Sequence, residues 1–175
     1  MIHNPKVKIH TDIGDLIVTL YADKAPVTVD NFLNYVHKKR FNDSTIFRIV
    51  TENNAEQPED ANTKIQVIQA GLPPEHPLLL PPILHESTKD TGLSHTHGTI
   101  SMARFNPGSA DGSFFFCVGD QLELDYGGKR YSDGLGFAAF GRITDGMDVL
   151  ASIFEKAEPQ EYLKNEIIIK SIALI

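Results

Sequence analysis

The 175-residue sequence has no tryptophan and a single cysteine, Cys117. One cysteine excludes an internal disulfide and any multi-cysteine zinc site. It lies in the apolar run "FFFCV", the setting of a buried, inert thiol rather than an accessible, electropositive one. The chain also lacks any cluster of Lys and Arg, and its 23 acidic against 16 basic residues give a formal net charge of -7. Phosphate binding needs a concentrated positive field, so no nucleic-acid partner is expected. No stretch approaches the roughly 20 consecutive apolar residues that span a bilayer, which argues against a membrane partner. The opening "MIHNPKVKIHTDIG" lacks the apolar segment of a secretory signal, so the chain as given reads as cytoplasmic, with a periplasmic location open if a signal was removed. Also missing are a G-x-S-x-G nucleophile elbow, a phosphate loop and an H-E-x-x-H pair, so common covalent and metal chemistries are not signalled. No linker or internal repeat divides the chain, and 1–175 reads as a single domain.

What is present is dominated by short β-branched and aromatic runs. "VKIHT" and "DLIVTLY" flank the turn "DIGD" as a hairpin, and "STIFRIV", "KIQVIQA", "GTISMAR", "SFFFCV", "GFAAFGRI" and "NEIIIKSIALI" supply six further strands. In "ADKAPVTVDNFLNYVHKKRF" the period changes to that of a helix. Val29, Phe32, Leu33 and Val36 share a face, Pro26 suits the first turn, and Lys38, Lys39 and Arg40 suit the C-terminal end. A second helix, "TDGMDVLASIF", is expected to start from Thr144 or Asp145 as N-cap and to bury Met147, Leu150 and Phe154. These elements do not alternate as βαβ units. The expected fold is mostly β, a closed eight-stranded antiparallel barrel capped by two helices, because closure removes exposed strand edges. Residues 51–64, carrying four acids, and the proline-rich 72–98 read as long loops.

Few residues could carry chemistry. His85, Glu86, His95 and His97 come nearest to a metal cluster, with His95 and His97 at the i, i+2 spacing of one strand face; hydrogen-bonding loop histidines are the plainer reading. Arg48 interrupts the apolar strand "TIFRIV", where alternation groups it with Ile46 and Val50 and sets Thr45, Phe47 and Ile49 on the other face. Gln66 and Gln69 in "KIQVIQAG" either serve a site or satisfy backbone groups. In "SFFFCV" alternation turns Phe114 and Phe116 one way and Phe115 the other, so both barrel faces need an apolar partner.

The ordered set "STIFRIV", "IQAG", "GTISMAR", "SFFFCVGD", "LELD" and "FAAFGRITDGMDVLASI" resembles the cyclophilin family of peptidyl-prolyl isomerases, in a bacterial style, over nearly the whole chain. The resemblance implies an eight-stranded barrel with a helix at each end and a substrate groove on its outside. It implies an isomerase that rotates X-Pro peptide bonds in unfolded or flexible protein segments and so assists folding. No covalent intermediate, metal or cofactor is implied; the partners are proline-containing peptides and unfolded proteins, and a monomer is expected. By the same resemblance Arg48 is the catalytic arginine and Gln69 contacts the substrate backbone. Ala103 and Arg104 pair with the peptide, and Val67, Met102, Phe115 and Leu124 hold the proline ring. A one-residue gap in the alignment would put Phe116 in place of Phe115.

Four departures from the family pattern bear on the groove. Gln66 replaces a pocket phenylalanine, giving an expected polar floor and a motive for a rival reading as a proline-gripping chaperone module with little turnover. Phe137 replaces a family histidine. Glu123 falls near the tryptophan of cyclosporin-sensitive members, implying weak binding of that drug. The acidic loop 51–64 replaces a much shorter turn and reads either as a solvated excursion or as a groove edge favouring basic clients. A third reading is a metal-binding barrel using His95 and His97.

Overall fold

A computed structural model describes residues 4–55 and 63–175. Eight strands are present: β1 Lys6–Thr11, β2 Asp15–Leu20, β3 Ser44–Val50, β4 Val67–Gly71, β5 Thr99–Met102, β6 Ser113–Cys117, β7 Ala138–Asp145 and β8 Tyr162–Leu174. They form a closed antiparallel barrel in the order β1-β2-β7-β5-β6-β4-β3-β8. Closure depends on the 13-residue β8, whose first part pairs with β3 and whose second part pairs with β1. The first hairpin shows the pattern that drives the fold: Val7, Ile9 and Thr11 of β1 and Leu16, Val18 and Leu20 of β2 point inward, and their neighbours do not.

Helix α1, Pro26–His37, lays Val29, Phe32, Tyr35 and Val36 on the barrel, with Leu33 only half-buried at the edge of that face. The Phe32 ring meets Phe41, Phe114 and Phe140 with centroids 5.1–5.4 Å apart, tying helix to barrel through edge and tilted aromatic contacts. The first turn of α1 has no cap of its own. Glu86, far along the chain, accepts hydrogen bonds from the backbone N–H groups of Val27 and Thr28 and from the Thr28 hydroxyl, satisfying orphan donors and favouring the positive end of the helix.

Helix α3, Met147–Phe154, sits at the other end of β2, where Val149 crowds Gly14. Its start differs from the sequence expectation. Thr144 and Asp145 remain in β7, since Asp145 still pairs with Ile17, and Gly146 occupies the N-cap at φ 102°. A side chain there would strain the left-handed backbone and approach the Asp15 carbonyl oxygen to 2.5 Å. Leu150 and Ile153 are the buried residues of α3, while Met147 and Phe154 are half-buried. A third helix of one turn, α2 Thr88–Thr91, lies within the proline-rich segment 72–98 that reads as a loop, and a 3-10 turn covers Leu122–Leu124 between β6 and β7.

Strand β3 also departs from simple alternation. Its register shifts between Ile46 and Arg48 against both neighbours, leaving Phe47 unpaired. Such a bulge inverts the facing of the residues after it. Ile46 and Ile49 therefore both enter the barrel core, and Arg48 and Val50 face outward with the groove.

Candidate active site

The bulge has a specific consequence: it sets Arg48 opposite Gln69 of β4, which is opposite Phe115 of β6, which is opposite Ser101 of β5. On the far side Arg48 pairs with Tyr162 of β8. One lateral row thus crosses the outer face of the barrel and changes along its length from cation to amide to aromatic ring. A groove of about 650 Å³ lies over it.

The apolar end of the groove is a satellite core, separate from the barrel interior. Val50, Ile65, Val67, Phe115 and Leu124 are buried together, with Ala103 and Phe137 packed against them. Phe137 meets Phe115 edge-on, centroids 5.7 Å apart. The Arg104 guanidinium braces this wall from behind. It lies 4.9 Å from the Phe137 ring centre and 4.7 Å from that of Tyr131, and donates to both Asp133 oxygens and to the Gly136 carbonyl. Burial alone would raise the Asp133 carboxyl, but hydrogen bonds from Arg104 and the Leu135 backbone outweigh it and hold it below the usual range.

The polar end is built on Arg48. Its Nη1 donates to Gln69 Oε1 at 3.0 Å, and Gln69 Nε2 donates to the Ser113 hydroxyl at 2.7 Å. Its Nε and Nη2 donate to Glu161 Oε2 at 3.1 and 2.9 Å. The Tyr162 ring lies 5.5 Å from the guanidinium carbon. A second guanidinium, Arg130, lines the same groove and donates to the Thr63 carbonyl. Its pKa is lowered, first by burial and then by the charge of Arg48, with Glu161 opposing the shift.

Behind Phe115 sits a closed polar network. His95, fully buried, stacks on the Phe115 ring with centroids 6.0 Å apart and planes at 11°. Asp125 accepts from the His95 backbone N–H at 2.8 Å, from His95 Nδ1 at 2.6 Å and from the Ser94 hydroxyl at 2.5 Å. The other ring nitrogen, Nε2, is 2.8 Å from the Ser101 hydroxyl. The order Ser-His-Asp is that of an acyl-transfer triad, yet Ser101 has no exposed surface and no substrate carbonyl can reach it. Cys117 is likewise fully buried, and burial pushes its thiol up, away from the reactive thiolate. The groove combines an apolar grip with a guanidinium donor, and neither Ser101 nor Cys117 lines it.

Two sequence expectations are corrected. Met102 does not line the groove; with Ile100 it points into the barrel core, while Ser101 of β5, opposite Phe115, and Ala103 just after the strand take the outward positions. Gln66 is also outside the groove, its amide 3.5 Å from the Val118 carbonyl oxygen, and Ile65 supplies the wall instead. The floor is therefore apolar, not polar. The other expected residues, Arg48, Val67, Gln69, Ala103, Arg104, Phe115, Leu124 and Phe137, do border the groove, and Phe116 points into the barrel. Glu161, Arg130 and Tyr162 were not anticipated.

The histidines do not converge. His85 Nε2 is bonded to the Leu135 carbonyl, His97 Nδ1 accepts from the Gly119 N–H, and His95 is held by Asp125 and Ser101 in the loop before β5. Among the described residues no group of three or more His, Cys, Asp or Glu side chains is placed to hold a metal ion. No helix among them is long and apolar enough to cross a membrane. Half of the acidic stretch 51–64, namely 56–62 with three of its four acids, lies outside the described residues.

The family model described as cyclophilin type peptidyl-prolyl cis-trans isomerase/CLD matches residues 6–174. The chain is 31% identical over 176 residues to peptidyl-prolyl cis-trans isomerase B of Escherichia coli, covering 96% of this chain and 98% of that protein. It is 34% identical over 151 residues to a peptidyl-prolyl cis-trans isomerase of Acinetobacter baylyi, covering 86% and 72%. Among solved structures, a cyclophilin type peptidyl-prolyl cis-trans isomerase of Cryptosporidium parvum superposes with a TM-score of 0.75 at 20% identity, over 99% of this chain and 98% of that one.

Proposed function

Because the chain belongs to the cyclophilin-type peptidyl-prolyl cis-trans isomerase family, and so catalyses rotation about X-Pro bonds in proline-containing peptides, we propose that Arg48 is its catalytic residue and that Val67, Phe115, Leu124 and Phe137 grip the proline ring. The observation that carries this reading is a guanidinium held at the edge of an apolar, outward-facing pocket on one strand row.

The chemistry follows from the bond itself. Delocalisation of the nitrogen lone pair keeps the X-Pro bond planar behind a barrier of ~18–20 kcal/mol. As the bond twists, the lone pair returns to nitrogen and becomes a hydrogen-bond acceptor. Arg48 N–H groups beyond those used by Gln69 and Glu161 can then donate to it. A hydrogen bond made only in the twisted state lowers the barrier without strengthening ground-state binding. The apolar wall immobilises the ring while the acyl side turns, and it disfavours the charge-separated planar form.

Gln69, hydrogen-bonded to Ser113 and Arg48, is the proposed contact to the peptide backbone, with the Ala103–Arg104 segment as the second; all of these residues border the groove. The chaperone reading loses its motive, since Gln66 is not part of the floor. Flexible or unfolded protein segments are the proposed substrates and a monomer the proposed state, without nucleic-acid or membrane partners. NMR exchange on an X-Pro peptide tests the assignment: Arg48→Ala is expected to lower kcat about 100- to 1000-fold, the range seen when one transition-state donor is removed. Unchanged kcat in that variant would refute it.

A further inference from the structure

We propose that Glu161 is a positioning residue for catalysis, fixing the plane and direction of the Arg48 guanidinium; this rests on the reading of Arg48 as the catalytic group. The Glu161 side chain is 5% exposed, and one of its oxygens, Oε2, takes both Nε and Nη2 of Arg48. With Gln69 on Nη1, the guanidinium is gripped at two edges. An arginine on a groove wall otherwise has four side-chain torsions to explore. Gripped in this way, it presents its remaining Nη hydrogens in one direction.

The backbone of Glu161 is itself anchored to the strand its side chain serves. Ile49, next to Arg48, donates its backbone N–H to the Glu161 carbonyl at 2.9 Å. Asn54 Nδ2 donates to the carbonyls of both Ile49 and Glu158, binding the segment before β8 to the end of β3. Tyr162, adjacent to Glu161, is in register with Arg48 and places its ring 5.5 Å from the guanidinium. Backbone and side chain of the 158–162 segment thus form a bracket around one arginine. A buried carboxylate is a poor source of net stability compared with apolar packing, so its use here fits a demand for geometry. It also offsets the repulsion between Arg48 and Arg130.

The test is a double-mutant cycle on Arg48→Ala, Glu161→Ala, Glu161→Gln and the Arg48→Ala/Glu161→Ala pair, with kcat and KM from NMR exchange on an X-Pro peptide. A guanidinium displaced by about 1 Å costs up to about 100-fold, so Glu161→Ala should lower kcat about 10- to 100-fold. KM should stay within about twofold, as expected when an interaction of the transition state alone is lost. Glu161→Gln, whose amide oxygen can occupy the place of Oε2, should lose less. The slowly exchanging Arg48 Nε–H resonance should persist in Glu161→Gln and vanish in Glu161→Ala. In the Arg48→Ala background, Glu161→Ala should cost nothing further. If Arg48→Ala is impaired but Glu161→Ala is not, the positioning role alone falls. If Glu161→Ala costs the same with or without Arg48, it acts on the fold and the proposal is overturned. If Arg48→Ala retains full kcat, the underlying assignment of Arg48 fails first.

Discussion

Asp125 supports the substrate wall without touching the groove, and its removal has a magnitude that can be worked from its contacts. Two of its three hydrogen bonds come from His95, which is fully buried and cannot turn to water when the carboxylate is lost. Hydrogen bonds to a charged acceptor are worth about 1.5–3 kcal/mol each, and the more exposed Ser94 adds less than about 1 kcal/mol because its hydroxyl can be resolvated. Asp125→Ala should therefore destabilise the protein by about 3–5 kcal/mol, the lower part of the range those bonds sum to and the cost of removing one partner of a buried pair. Asp125→Asn is the informative control. Both His95 donors use the same oxygen, Oδ1, which an amide oxygen can replace, and the new NH2 can donate to Ser94. It should cost only about 1–2 kcal/mol, the charge-assisted part. Burial alone would raise the Asp125 carboxyl, but the bonds from His95 and Ser94 prevail and its pKa is lowered. A depressed carboxyl contributes stability above its unfolded pKa of about 3.9 and loses it as pH falls through the folded value. The gap between wild type and Asp125→Asn should thus be full at pH 7 and close in acid. Urea unfolding followed by far-ultraviolet circular dichroism measures both; with slopes of about 2 kcal/mol/M the Asp125→Ala midpoint should drop by about 1.5–2.5 M. A midpoint within about 0.5 M of wild type, or an Asp125→Asn gap unchanged between pH 7 and pH 3, would refute the reasoning.

Two further outcomes are expected. Arg104 has 1% side-chain exposure and makes a forked pair with Asp133 while stacking between two rings, a geometry lysine cannot reproduce. Arg104→Ala and Arg104→Lys should both cost about 2–4 kcal/mol in urea unfolding and raise KM for an X-Pro peptide, as Phe137 loses its brace; a Lys variant with wild-type stability and KM would contradict this. Cys117 should react with a thiol reagent only after unfolding, since burial both shields it and raises its pKa. Rapid labelling of the native protein at neutral pH would mean that β6 opens.

The barrel was legible because its strands are β-branched and aromatic runs, alternating where no bulge intervenes, and its turns are marked; all eight runs became strands. Phe115 was separated from Phe114 and Phe116 by the same period. The misplacements of Met102 and Gln66 were also within reach of that rule. Ile100 with Met102, and Ile65 with Val67 and Gln69, are i, i+2 sets, so a groove containing Ala103 and Val67 excludes Met102 and Gln66. The family resemblance puts both residues in the groove, and strand alternation does not. The bulge in β3 was not legible, because it exists only in the register of two neighbours, β4 and β8. Nor were the partners that matter most. Glu161 is 113 residues from Arg48 and Asp125 is 30 from His95. Nothing in "EPQEYL" distinguishes Glu161 from the protein's other acids.

The strand row explains how a site on a barrel exterior keeps its geometry without a deep cleft. Neighbouring strands lie about 4.7–4.9 Å apart, so Arg48 and Phe115, separated by Gln69 on the strand between, have backbones roughly 10 Å apart. In the proposed reading, that span takes a proline ring against the aromatic end and its preceding peptide bond beneath the guanidinium. Hydrogen-bonded ladders fix the spacing, and closure of the sheet denies it the freedom of an edge. The inner face of the same strands is filled by Ile46, Ile68, Phe114 and Phe116. A shift of the row would have to repack that core. Rigidity of the site is thus inherited from the interior. What the ladder does not fix is the long Arg48 side chain, and it is there that a remote carboxylate has the most to contribute.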